Sequence, residues 1–403
     1  MMRCTTSLLL AFMVAAAAQT AVAQVPRVEM TLADALSRAE ASPDLLIARA
    51  AQAVAERSIA VIQKPQSPTL TTSTHSVTAR LGLSLAAPVR WGGQRSAALD
   101  VVRAERDAAA AAAGAAANRA REEVTAAWLR LAADEELEKL ALARVERLGR
   151  TADAVKDLFD AGRVPRVDVV KTKAEVATAQ ADVFLASAER RAASSALAFL
   201  VGAVPTADIV ATGERPMPAS VAGLSTFLAK ATTSAEFQAA EARGRAAAAR
   251  VTKAKREGLP ALTFEGGADF QDPTQEGTDK HVSLGLTIPI GSHAVVSVSK
   301  AEMDRDAAER SRLLKSVESE TVSTWNRLEA ARQRFEALER STIPATLEAA
   351  ELGRVAYREG RLDLLRLLES ERALLDVQAS RIEAWLTWGT QWASLERLVG
   401  GIP

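Results

Sequence analysis

The stretch AYREGRLDLLRLL, residues 356–368, sets Gly360 in the middle of helix-forming sequence. A glycine in a helix interior costs about 1 kcal/mol relative to alanine, so a turn is the cheaper reading. The stretch LFDAGRVPRVDVV, residues 158–170, carries the same glycine, Gly162, at an offset of 198 residues. Phe159 stands where the later stretch has Tyr357, and Arg163 where it has Arg361. About forty residues beyond each glycine the chain reaches LVG, at 200–202 and at 398–400. Shared glycines, closing triplets and one constant offset mark an internal duplication.

The ends and the composition bound what the duplicated unit serves. Residues 1–23 read as an export signal: a basic start (MMR), the apolar SLLLAFMVAAAA, and AVA before Gln24. The single cysteine, Cys4, is expected to leave with that segment, so the mature chain has no thiol, disulfide or lipid-bearing cysteine. Fifty basic and fifty acidic residues cancel, which leaves no global field to attract nucleic acid. No later stretch is apolar for the roughly 18 residues a membrane helix needs. A membrane location therefore requires a β-barrel, the other structure that satisfies its backbone in lipid.

Each copy repeats one order: helix, two strands, very long helix, glycine turn, return helix. The first repeat is expected over 24–202, with strands at about 67–88 and its tip at about 159–168. Residues 203–223, rich in proline and glycine, read as a connector. The second repeat covers 224–403, with strands at about 259–290 and its tip at about 357–369. Helix is expected over 31–64 with a break at Pro43, then over 94–160, 224–258 and 293–358, with a bend at Pro344. Helices of about 66 residues need a partner along their apolar stripe. Val145, Leu148, Ala152, Val155 and Phe159 supply one; their counterparts Ile343, Thr346, Ala350, Gly353 and Tyr357 are interrupted at Thr346 and Gly353. Each long helix should therefore fold back on its return helix, with Gly353 permitting closer approach. The run AAAAAAGAAA, 108–117, reads as close helix packing. Four strands per chain are too few for a membrane barrel, where eight is the smallest common number. Three chains would give twelve strands and four would give sixteen; strand number alone does not choose.

The arrangement resembles the TolC-type outer-membrane efflux protein family over about residues 30–403. The resemblance is carried by LSLAAPVRWGG, LGLTIPIG, the tips FDAGRV and YREGRL, and the LVG triplets; SERALLDVQ leans toward the CzcC-type cation-efflux branch. It implies a homotrimer: a twelve-stranded barrel in outer-membrane lipid, continued by a periplasmic helical barrel. The expected partners are a periplasmic adaptor and an inner-membrane pump of the RND type. It also implies a periplasmic gate, with Tyr357 on a gate tyrosine, Glu369 on a gate carboxylate and Asp168 on the acidic partner in the first copy. Arg366 falls where relatives carry aspartate, and Leu362 replaces a gate arginine, so the usual ion pair is in doubt. Asp168, Tyr357, Arg366 and Glu369 are the expected gate. Gly162, Arg163, Gly360 and Arg361 are the expected adaptor contacts, with solvated charges as the competing reading.

No catalytic chemistry stands out. His75, His281 and His293 lack zinc-ligand spacing. No phosphate loop, nucleophile elbow or dinucleotide fingerprint occurs, so no enzyme, cofactor or resident metal is expected. Trp385, Trp388 and Trp392 have the spacing of a packing face. Trp91, Phe264 and Phe270 give only a sparse aromatic girdle for a barrel. The expected function is a passive exit duct for heavy-metal cations. The rivals are a drug or protein-secretion duct of the same fold, and a soluble periplasmic scaffold or adaptor.

Overall fold

The computed structural model describes residues 27–64, 68–75, 80–89, 92–214, 222–270 and 278–400. The expected signal segment and Trp91 lie outside them. Two helical hairpins dominate. In the first, α3 (Gln94–Asp160) runs 67 residues, about 100 Å at 1.5 Å per residue, and α4 (Arg166–Leu200) returns along it. In the second, α7 (Ser292–Ala337) and α8 (Ile343–Arg358) together face α9 (Leu364–Val399).

The bend expected at Pro344 takes the form of a five-residue π-helical turn, Leu338–Thr342. Proline offers no N–H to the carbonyl of Arg340, four residues back, so the regular ladder cannot continue through that turn. The helix expected over 31–64 is divided at the break expected at Pro43, and the one expected over 224–258 is divided as well. α1 (Leu32–Arg38) and α2 (Pro43–Gln63) flank a 3₁₀ turn, as do α5 (Leu224–Lys230) and α6 (Ala235–Glu257). α3 runs beside α6, and both bury alanines there: Ala108, Ala113 and Ala115 on α3, Ala239, Ala242 and Ala246 on α6. Side chains of one carbon let the two backbones come close.

The main core lies midway along the helices. Trp128, Leu129 and Leu131 of α3 meet Leu197 of α4 and Trp385 of α9. It includes a pair the sequence reading missed: β1 (Arg27–Met30) runs parallel to β4 (Asp208–Ala211). β4 lies inside the segment expected to be a plain connector. Buried Trp128 donates its indole N–H to the Met30 carbonyl at 2.9 Å, tying the pair to α3. A second core gathers Phe227, Val317, Leu328, Trp388 and Leu398, with Trp388 5.7 Å from Phe335, ring centre to ring centre.

The remaining strands form one antiparallel sheet of order β2-β3-β5-β6: β2 (Thr69–His75), β3 (Arg80–Val89), β5 (Ala261–Phe270) and β6 (Asp279–Thr287). The pairing of β3 with β5 joins the two copies, setting Leu85 against Gly266 and Val89 against Leu262. Since side chains alternate along a strand, this register puts Leu70, Leu83, Leu85, Leu262, Phe264, Val282, Leu284 and Leu286 on one face. Thr71, Ser73, Ser84, Glu265, Asp269, His281 and Ser283 take the other. Most of the apolar face is bare: Phe264 is 50% exposed and Leu284 70%. Among the described residues, β2 and β6 each pair on one side only.

Candidate functional site

The two hairpin tips are built by the same turn. At the end of α3, Gly162 donates to the Phe159 carbonyl (2.8 Å) and Arg163 to the Leu158 carbonyl (2.8 Å). At the end of α8, Gly360 donates to Tyr357 (2.9 Å) and Arg361 to Ala356 (2.8 Å). This is the Schellman arrangement, which needs a left-handed residue after the helix. Gly162 and Gly360 supply it with φ of 74° and 75°. The return helices start differently. Asp363 caps α9 by accepting from the Arg366 N–H (2.8 Å), whereas Pro165 precedes α4 with no side-chain cap.

The tips share one small core in which Val155, Tyr357, Leu364 and Leu367 are buried, with Leu158, Val164 and Leu362 packed around them. Leu362, standing where the resemblance implies a gate arginine, is thus a packing residue. Tyr357 is 6% exposed and its hydroxyl has no hydrogen-bond partner among the described residues. Burial of the ring, and secondarily the charge of nearby Asp168, push the phenol pKa above its ordinary value. Of the other expected gate residues, Asp168 is the one whose charge reaches Tyr357. Arg366 and Glu369 are exposed on α9 and, among the described residues, make no side-chain bond to Asp168 or Tyr357. Arg163 and Arg361 are exposed at the turns; Arg361 pairs with Glu359 at 2.7 Å.

The stripe expected on the first long helix is kept at Leu148 and Val155 and shifted around them. Leu148, Thr151 and Val155 are buried and Leu158 packs in the tip core, while Phe159 is 37% exposed. The second stripe, though interrupted in sequence, is the better buried, at Ala350, Gly353 and Tyr357. A β-carbon on Gly353 would lie 3.0 Å from the Ser370 hydroxyl, so glycine permits the close approach of α8 to α9.

Two ion-pair clusters escaped the sequence reading. Arg354 on α8 bonds Glu371 on α9 at 2.7 Å, with Glu371 2% exposed. Arg397 near the end of α9 reaches Glu122 of α3 (2.5 Å), Glu236 of α6 (2.9 Å) and Glu320 of α7 (2.5 Å). Burial opposes the charge on Arg397, but the three carboxylates outweigh it and hold the guanidinium more firmly protonated than usual. The 198-residue repeat gives no hint of either cluster. The counterparts of Arg354 and Glu371 are Lys156 and Lys173, and that of Arg397 is Phe199. Elsewhere, His281 lies 3.8 Å from Asp269 on the polar face of the sheet. Among the described residues no three metal-ligating side chains gather, and no helix is long and apolar enough to cross a membrane.

Two copies of one plan, with hundred-ångström hairpins set below an amphipathic sheet, can be compared with known proteins. The sequence profile of the outer membrane efflux protein family matches residues 31–203 and again 231–401. The chain belongs to that family. This efflux protein is a channel of the outer membrane, with its helical part in the periplasm. It is 24% identical over 329 residues to the cobalt-zinc-cadmium resistance protein CzcC of Cupriavidus metallidurans, across 79% of this chain and 76% of that protein. Among solved structures, the outer-membrane channel OprN superposes with a TM-score of 0.76 at 22% identity, covering 92% of this chain and 90% of its own. The outer membrane protein VceC from Vibrio cholerae gives 0.74 at 19%, covering 92% and 96%. At these identities the two structures speak to fold.

Proposed function

We propose that the efflux protein is the exit duct of a tripartite system, passing heavy-metal cations from an inner-membrane pump and periplasmic adaptor to the exterior. Three chains close a twelve-stranded barrel, and their helical hairpins form the tube beneath it. The observation that carries this reading is the four-stranded sheet: one face apolar and bare, the other polar, and both edge strands open. An isolated open edge invites pairing with another chain, and a closed barrel is the β-structure that lipid accepts. The apolar face then meets lipid, and Glu265, Asp269 and His281 face the lumen.

The gate lies at the tips, where the charge of Asp168 already reaches Tyr357. Arg366 and Glu369, exposed on α9 in a single chain, are free to meet the same residues of adjoining chains. Gly162, Arg163, Gly360 and Arg361 form the surface offered to the adaptor. The cation cargo is supported by the likeness to CzcC, whose name gives resistance to cobalt, zinc and cadmium; the RND type of the pump is carried over from the family resemblance alone. Deletion followed by growth on cobalt, zinc, cadmium, copper and drugs tests the cargo. Sensitivity to the metals alone is expected; sensitivity to drugs alone overturns the metal assignment and leaves the duct.

A further inference from the structure

Behind the tip core, α3, α8 and α9 line an open cavity of about 390 Å³ whose wall includes Arg147, Arg150, Arg354, Tyr357 and Arg358, with Glu351 the one acidic side chain on it. These charges do not cancel. Arg354 is paired, with Glu371 and with Glu351 (2.5 Å), and Arg150 stands a loose 3.9 Å from Glu146. Arg147 and Arg358 have no acidic partner among the described residues. Two guanidinium groups therefore face one cavity uncompensated.

Hydrogen bonding points the same way independently. Nη1 of Arg147, Nη2 of Arg354 and the Tyr357 hydroxyl are all buried and all lack a partner among the described residues. A buried donor left without a partner is costly to the fold. Structures rarely tolerate one without a reason, and here three share one wall. The guest that would satisfy them must be anionic, must carry several acceptor oxygens and must donate little. Guanidinium groups match carboxylate and phosphate oxygens in geometry as well as charge. We propose that this cavity is an oxyanion-binding site, in which Arg147 and Arg358 supply the charge and the unpartnered donors of Arg354 and Tyr357, shut off from solvent just behind its wall, turn outward to reach the guest. The inference is independent of the transport reading, since it needs only the contacts within one chain.

The chemistry has two possible sources, a free anion or a glutamate side chain presented by a docked protein. Both are tested on the full-length protein in detergent, by calorimetric titration with inorganic phosphate and with a short glutamate-bearing helical peptide. Saturable binding of either supports the site and names its source. Arg147→Gln and Arg358→Gln should each weaken that binding about tenfold, and Tyr357→Phe should weaken it by less. Arg103→Gln, an exposed change elsewhere on α3, should leave it unaltered. Arg358 is exposed, so its variant keeps the test valid if Arg147→Gln fails to fold. Absence of saturable binding by both probes at millimolar concentration overturns the proposal. So does binding that is indifferent to both arginine changes.

Discussion

Tyr357 offers a direct reading of the tip, because it is the only tyrosine in the chain. Its ionisation can be followed by absorbance near 295 nm with no other phenol contributing. The ordinary value is about 10; burial and the Asp168 charge raise it. A raised acid favours its neutral form in the folded state, so stability is lost as pH climbs from about 10 through the folded value. The titration midpoint is expected above 10, and Asp168→Asn should lower it only in part, since burial is the larger cause. A midpoint at the ordinary value would show that the ring is not packed as described. Residues with a local job are the ones the sequence discloses: Gly162 and Gly360 were legible because a left-handed turn admits little else. Arg354 and Glu371 were not, because their pairing depends on how α8 lies on α9, which no spacing along one helix reports. Leu362 illustrates the same divide. Its loss of the expected charge was visible, but its place in the tip core was not.

Among elements, length and punctuation were legible and fine registration was not. α3 spans the residues its helix-forming run suggests, and proline and glycine mark its limits. The shift in the stripe, with Leu158 inward and Phe159 outward, arises because an α-helix advances 3.6 residues per turn. A pattern of threes and fours can therefore slip by one position over a long run. β1 and β4 escaped because four-residue strands show too few alternations and pair with distant sequence. At two tight helix contacts the approach is set by a single glycine, Gly353 between α8 and α9 and Gly389 between α9 and α3. A β-carbon on Gly389 of α9 would come within 2.8 Å of Leu129 Cδ1, and Leu129 is itself buried in α3. Gly389→Ala removes a helix-weakening residue but overpacks the α3–α9 contact, and overpacking costs about 1–3 kcal/mol. The expected net effect is a lower thermal midpoint, with Leu129→Val in the same chain restoring part of it. Additive losses in that double-mutant cycle would mean the two residues do not touch.

At the scale of the molecule, two devices hold the copies together, and one of them points outside the chain. Arg397 joins α9 to α3, α6 and α7. Arg397→Met should destabilise the fold by less than the roughly 3 kcal/mol that a fully buried pair costs, because Glu122, Glu236 and Glu320 are partly exposed and Glu236 keeps Arg119 at 2.9 Å. Glu122→Gln in the same chain should recover part of the deficit in a denaturant melt; strictly additive losses in that double-mutant cycle would argue against the cluster. The second device is the sheet, whose central strands β3 and β5 fuse the repeats while β2 and β6 stay open. If a ring of chains closes it, β6 of one copy must lie beside β2 of the next. Cysteines at Thr71 and at His281, Ser283 or Gly285 in turn, which share its face of the sheet, in chains lacking Cys4, sample the possible registers of that seam. Oxidation of the right pair in membranes should give linked species of one, two and three chains and nothing larger, since a closed ring exhausts its own edges. A ladder running to four would replace twelve strands by sixteen, and no linkage in any register would mean that the sheet completes itself some other way.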